Sequence, residues 1–241
     1  MDKRIKQIVD GLKKYFEQAG FKKAVLGLSG GVDSALTAKL AVLALGEENV
    51  IALLMPNRGT SSDHSLHDAI ALADELGIEY RVLSIGDTVD RYKKLPWKAS
   101  EEAEMNIQAR IRMTILYHYA NSHQALVLGT GNKTEETLGY FTKYGDGACD
   151  VLPIGSLYKT DVWKLAGELS LPKAIVEKTP SAELKEGHTD EEEIGMSYAE
   201  IDKILKKYEK GLSAETEAEQ KIYSRIAANR HKCALPPIVG G

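Results

Sequence analysis

The apolar run Ala24-Val25-Leu26-Gly27-Leu28 passes directly into Ser29-Gly30-Gly31-Val32-Asp33-Ser34 and then into the helical stretch Ala35 to Leu45. Strand, glycine turn and helix start in immediate succession commit the chain to an α/β unit with an anion cradle at the turn. Two adjacent glycines let backbone N–H groups converge on an anion. The helix N-terminus adds partial positive charge, and two serine hydroxyls can donate. This is not a Walker A loop, because no Gly-Lys-Ser/Thr follows the glycines, and it is not a Rossmann fingerprint, because the third glycine is missing. Asp33 is the unusual member. A carboxylate inside a phosphate loop repels the ligand unless a divalent cation lies between them, so Asp33 implies Mg²⁺ held jointly by protein and phosphates. The bland alternative is a turn that merely caps a helix.

The rest of the chain repeats the alternation. Residues 3 to 18 place Ile5, Ile8, Val9, Leu12, Tyr15 and Phe16 at helical spacing, which predicts an opening amphipathic helix. Strand-like runs recur at Ala24–Leu28, Val50–Met55, Tyr80–Ile85 and Ala125–Leu128, separated by helical patterns at Ala35 to Leu45, Asp63 to Leu76 and Glu101 to Tyr119. Apolar strands alternating with helices predict a doubly wound, mostly parallel sheet with helices on both faces. Ligands of such sheets bind at the carboxyl ends of the strands, near the topological switch point. The loops after Leu28, Met55, Ile85 and Leu128 are therefore the ones to search.

A length of 241 residues suits one large domain, 1–241. Its 31 basic and 35 acidic residues give a formal charge of −4 and are interspersed, which argues against nucleic acid or an acidic membrane as the main partner. No signal peptide or membrane span is evident, so a cytoplasmic location is expected. Cys149 and Cys233 lie far apart, which fits reduced, buried or half-buried thiols. The last third changes texture. The acidic, glycine-bearing stretch Glu183 to Gly195 is either a solvated linker or a lid over substrate, expected as a flexible loop over 183–197, before helices near Tyr198–Tyr208 and Ala214–Asn229.

Gly129-Thr130-Gly131-Asn132-Lys133-Thr134-Glu135 forms a second strand-end loop, and Glu135 can meet Asp33 across the crevice. Two carboxylates with phosphate oxygens and waters would complete an octahedral Mg²⁺ site. Tyr140-Phe141-Thr142-Lys143-Tyr144-Gly145-Asp146-Gly147-Ala148-Cys149-Asp150 is too polar and glycine-rich for core. Its aromatic faces can stack a heterocycle while Lys143 and the aspartates address polar groups around it. His64-x-x-His67-Asp68 lacks the further ligands of a metal site and is left unassigned.

The first loop resembles the pyrophosphate loop of the ATP pyrophosphatases, which transfer AMP from ATP to a carboxylate or carbonyl oxygen. With Arg110 in Asn106-Ile107-Gln108-Ala109-Arg110, Gly129-Thr130 with Glu135, Phe141-Thr142-Lys143-Tyr144-Gly145-Asp146-Gly147, and His231-Lys232, the resemblance narrows to NAD synthetases and runs over nearly the whole chain. Val32 and Asn132-Lys133-Thr134 depart from the pattern of some relatives, and neither departure removes a liganding carboxylate. The resemblance implies an adenine nucleotide alpha hydrolase-like fold, with ATP against Gly27, Leu28, Ser29, Gly30, Gly31, Val32, Asp33, Ser34, Thr130, Lys159 and Ser181. It implies Mg²⁺ on Asp33 and Glu135, and deamido-NAD on Arg110, Lys143, Asp150, His231 and Lys232. It further implies a homodimer, for which the apolar stripe Ile5–Phe16 and the helix Glu101–Tyr119 are candidate contact surfaces, unless they are intrachain core.

The reaction implied is amidation of deamido-NAD by ammonia, through an adenylated nicotinate, with release of AMP and pyrophosphate. Its second half needs a proton acceptor, and position in the loop makes Asp150 the candidate and Asp146 the reserve. Glutamine-using relatives carry a separate amidase domain for which this length leaves no room, so ammonia, free or delivered by another polypeptide, is the expected nitrogen source. Two alternatives stand beside this reading. One is another ATP pyrophosphatase acting on a different substrate. The other is a non-catalytic ATP-binding module resembling universal stress proteins, against which the Asp33 and Glu135 pair weighs.

Overall fold

A computed structural model describes residues 2–58, 60–181 and 189–239. Four strands, β1 (Lys23–Gly27), β2 (Val50–Leu54), β3 (Glu79–Val82) and β4 (Ala125–Leu128), form an all-parallel sheet in the order β3-β2-β1-β4. Ala24 pairs with Val50 on one side of β1 and with Leu126 on the other, and a bridge from Leu128 to Val151 lengthens the far edge. The chain winds outward from β1 to β3 and then crosses back to β4. The switch point thus falls between the carboxyl ends of β1 and β4.

Alternation along the strands separates two cores. Ala24, Leu26 and Leu28 face helices α1 (Lys3–Ala19), α2 (Val32–Leu45) and α3 (Asp63–Leu76). Val25, Ile51, Leu53 and Val127 face α4 (Gly86–Tyr92) and α5 (Glu101–His123). The period-2 side-chain pattern of the strands feeds both layers, as a sheet covered on two faces requires. Helix α6 (Lys133–Leu138) follows β4. Helices α7 (Lys159–Glu168) and α8 (Lys173–Val176) complete the first layer. A third cluster, built on Leu138, Ile194, Tyr198, Ile201, Leu205, Ile222 and Ile226, ties α6 to α9 (Asp190–Ile194), α10 (Tyr198–Glu209) and α11 (Glu217–Asn229).

Several expectations change. Helix α2 begins at Val32, three residues before the apolar pattern starts, so Asp33 lies in its first turn. Strand β3 is an edge strand with Glu79 and Arg81 exposed and paired at 2.5 Å, so one strand of the four is not apolar throughout. The stripe Ile5, Val9, Leu12 and Phe16 is buried within this chain, mainly against α2, and is not a free contact surface. Cys149 is half-buried, while Cys233 is exposed. Of the expected lid 183–197, residues 183–188 lie outside the described residues. The remainder is no loose linker: α9 is capped by Thr189 and anchored by buried Asp190 and Ile194. Among the described residues no helix is long and apolar enough to cross a membrane.

Candidate active site

Local chemistry explains the phosphate turn. The Ser34 hydroxyl donates to the Gly31 carbonyl (3.0 Å), and the Ser29 amide donates to Ser34 Oγ (3.2 Å). The Gly31 amide donates to Ser29 Oγ (3.3 Å), so two serine side chains stitch the turn to the helix start. Gly31 supplies no side-chain cap to α2, and first-turn amides of a helix have no intrahelical partner. Those donors and the helix dipole suit the binding of an anion. Gly30 has φ +81°, and a Cβ there would stand 2.3 Å from the Ser65 carbonyl oxygen. Both the backbone twist and the close approach of the α3 backbone demand glycine. Gly30→Ala is expected to cost about 1–3 kcal/mol of stability and to weaken ATP binding about tenfold or more. Urea unfolding and ATP titration check both, and wild-type values in each would refute the strained turn.

The second turn starts at Asn132, which caps α6 in a capping box with Glu135. Glu135 projects from the first turn of α6 toward Asp33, and Lys159 lies between them. The buried Lys159 ammonium is ion-paired and hydrogen-bonded to Asp33 Oδ2 and lies 3.5 Å from Glu135 Oε1. Its Nζ also sits 5.1 Å over the Tyr198 ring. Burial works against the lysine's charge, but the Asp33 and Glu135 carboxylates overcome it and its pKa is raised. Burial, then the Asp33 charge, push the Glu135 carboxyl well above the usual carboxylate range. Asp190 Oδ2 accepts from the Tyr198 hydroxyl (2.9 Å); burial raises Asp190's pKa, with Lys159 opposing. The result is a knot of three carboxylates around one ammonium.

A divalent cation fits this donor set. The charged form of Glu135 is costly without a further positive charge, and Mg²⁺ is typically held by one or two carboxylates plus substrate phosphates. Among the described residues no three His, Cys, Asp or Glu side chains are arranged to hold a metal ion by themselves, so Asp33 and Glu135 would need phosphate oxygens and water to complete its shell.

A cleft of about 310 Å³ opens at this point. Of the residues expected against ATP, Gly27, Leu28, Ser29, Gly31, Val32, Asp33, Ser34, Thr130, Lys159 and Ser181 line it, together with Glu135; Gly30 does not. The residues expected against deamido-NAD gather elsewhere. Arg110 donates to the Lys143 carbonyl (3.3 Å), Lys143 donates to the His231 carbonyl (2.8 Å), and Lys232 donates to the Gly139 (2.9 Å) and Phe141 (3.1 Å) carbonyls. Asp150 stands apart from both groups. Its carboxylate accepts from the Val127 amide (2.7 Å) and the Tyr117 hydroxyl (3.2 Å). Asp146 lines the cleft, accepts from the Thr142 amide (3.0 Å), and has its pKa raised by desolvation.

Sequence reasoning missed Asn132, Asp190, Tyr198 and the pair Thr134 and Asp202. The Thr134 hydroxyl donates to Asp202 (2.5 Å) and accepts from the Lys159 amide (3.0 Å), while Asp202 also accepts from the Thr160 amide (2.9 Å). That chain of bonds fixes the backbone that carries Lys159. Thr160 lies in the first turn of α7, whose N-cap position is Tyr158. Asp202 had a signal: it falls on the buried stripe Tyr198, Ile201, Leu205 at helical spacing, where a carboxylate needs partners. Asp190 had none, since the acidic run 190–193 does not show which member turns inward.

Known proteins resemble this chain over nearly its whole length. The NAD synthase family model matches residues 4–236. An NH(3)-dependent NAD(+) synthetase of Archaeoglobus fulgidus is 48% identical over 237 residues, covering 98% of this chain and 96% of that protein. Among solved structures, an NMN synthetase of Francisella tularensis superposes with TM-score 0.90 at 35% identity, covering 99% and 98% of the two chains. An NH3-dependent NAD synthetase of Campylobacter jejuni, in complex with the nitrate ion, does so with TM-score 0.85 at 35% identity, covering 99% of each.

Proposed function

The chain belongs to the NAD synthase family, and we propose that it amidates deamido-NAD to NAD with ammonia and ATP, releasing AMP and pyrophosphate. The observation that carries the reading is the Asp33, Lys159 and Glu135 knot at the mouth of a glycine phosphate turn. A passive nucleotide binder has little use for it.

A carboxylate is a poor acceptor for ammonia because its leaving group would be oxide. Activation comes first: the nicotinate carboxylate attacks the α-phosphorus of ATP, giving an acyl adenylate and pyrophosphate. The Gly30 and Gly31 turn and the N-terminus of α2 hold the phosphates. Asp33 and Glu135 would hold Mg²⁺, which neutralises charge on the departing pyrophosphate when bound. Lys159 supplies a fixed ammonium at the same end of the cleft, where preorganised charge lowers the barrier without reorganisation. Thr130 and Ser181 flank the nucleotide as hydroxyl donors. Arg110, Lys143, His231 and Lys232 form the basic patch assigned to the dinucleotide.

Ammonia then attacks the activated carbonyl and AMP leaves. Of the two aspartates, Asp146 lines the cleft while the Asp150 carboxylate is committed to the Val127 amide and the Tyr117 hydroxyl, so Asp146 takes the ammonium proton and Asp150 ties β4 to α5. The assembly is taken to be a pair of identical copies, which light scattering would check.

The test is pyrophosphate and NAD formation from ATP, Mg²⁺ and deamido-NAD, with ammonium and glutamine in parallel and the mononucleotide acid as a second acceptor. NAD formed with ammonium and not with glutamine is the expected result. Amidation of the mononucleotide alone would reassign the acceptor. Absence of pyrophosphate with every acid would refute the reading.

A further inference from the structure

We infer that Asn132 is a positioning residue that sets the spacing of the two metal-holding carboxylates, in addition to capping α6. The inference rests on the reading of Asp33 and Glu135 as that pair. Asn132 is fully buried, and three of its polar groups are committed to the two carboxylate residues. Its Nδ2 donates to Asp33 Oδ1 at 2.9 Å, its Oδ1 accepts from the Glu135 amide at 3.0 Å, and its backbone amide donates to Glu135 Oε2 at 3.2 Å. One residue of the β4 loop thereby ties the carboxylate of the β1 loop, 99 positions away in sequence, to that of α6.

The division of Asp33 carries the argument. Asp33 Oδ2 is taken by Lys159, and Oδ1 is taken by Asn132. With Lys159 committed to Oδ2, the Asn132 amide is, among the described residues, the other side-chain hydrogen bond fixing the Asp33 rotamer. Mg²⁺ demands near-ideal octahedral geometry at about 2.0–2.1 Å and tolerates little error in ligand spacing. A cap alone would not need the Nδ2 donor. Serine and threonine cap helices about as well as asparagine with a single oxygen, and they are too short to reach across to Asp33.

The experiment exploits that difference. In Asn132→Ser the Glu135 amide keeps an acceptor and Asp33 loses its donor. Binding of Mn²⁺, used as a spectroscopic substitute for Mg²⁺, is measured by electron paramagnetic resonance at fixed ATP, in wild type, N132S, N132T and Asp33→Asn, with urea unfolding of each in EDTA. The expected result is Mn²⁺ binding weakened about tenfold or more in N132S and N132T, with urea midpoints close to wild type. The metal concentration giving half-maximal pyrophosphate release should rise by the same factor, with kcat recovered at saturating metal. Wild-type Mn²⁺ affinity in N132S or N132T, alongside weakened binding in D33N, would overturn the role of Asn132. Unchanged binding in D33N would instead overturn the metal reading of the pair. Should N132S fold poorly, N132T decides on the same terms.

Discussion

Lys159→Met is expected to lower ATP-dependent pyrophosphate release by about 10²–10³, the loss that follows removal of one preorganised charged donor. The substitution keeps an unbranched apolar side chain of similar length in a site where Lys159 is 2% exposed, so packing against Tyr198 survives and the ammonium does not. What remains is Asp33, Glu135 and Asp190 crowded together with no cation among them. Breaking a buried ion pair by deleting one partner typically costs about 3–5 kcal/mol, so the unloaded variant unfolds more readily at neutral pH. The same vacancy predicts a gain. With the internal ammonium gone, a divalent cation has no competitor for the two carboxylates, so Mg²⁺ without nucleotide should raise the melting temperature of K159M and leave wild type nearly unmoved. Lys159→Arg should not rescue turnover, because a planar guanidinium does not replace a compact ammonium at a closed site. Pyrophosphate release and thermal unfolding with and without Mg²⁺ check all four outcomes. Full turnover in K159M would remove Lys159 from the chemistry.

Legibility in the sequence followed the range of the interactions involved. Ala125–Leu128 is found where its four consecutive apolar residues put it, because β4, although it ends the strand order, is packed into both cores and a strand buried on both faces has no polar alternative. The third strand is shorter and more polar than its sequence pattern suggests, because β3 is left largely exposed, unlike β4 at the other edge, and Glu79 and Arg81 are tolerated there. Asp33 was legible because a carboxylate inside a glycine turn conflicts with phosphate chemistry, and the conflict is local. Its partners were not legible. Lys159 reaches Asp33 across 126 positions through a fold that no periodicity specifies, and Asn132 looks like any helix cap until its second hydrogen bond is seen. The stripe of α1 shows the converse limit, since an apolar face has the same spacing whether it meets its own core or another subunit. Short helices such as α4, α6 and α8 carry too few turns for their periodicity to register.

Glu135→Gln is expected to abolish function and stabilise the empty protein at once. Burial, with the negative charge of Asp33 added, raises the Glu135 carboxyl, so it is the ionised form that the fold tolerates poorly. The sign follows from the direction of that shift. A carboxyl with a raised folded pKa is no burden while it is protonated in both states, and it withdraws stability as pH climbs from the ordinary carboxylate range through the raised value. Gln removes the charge and leaves the local structure in place, because a glutamine at this position completes a capping box as glutamate does, accepting from the Asn132 amide. In EDTA, E135Q should therefore match wild type near pH 4 and exceed it increasingly toward pH 8. The expected gain at the upper end is about 2–4 °C in Tm, the shift that ~1 kcal/mol makes in a chain of this size. Adding Mg²⁺ and ATP should reverse the order, since only wild type has the second carboxylate to bind them and be stabilised by mass action. Pyrophosphate release should fall by about 10²–10³. A variant that is sturdier empty and inert when loaded is the signature of strain held for a ligand. If E135Q were instead less stable than wild type across the whole pH range in EDTA, Lys159 would be balancing Glu135 completely and the carboxylate would serve the fold rather than the metal.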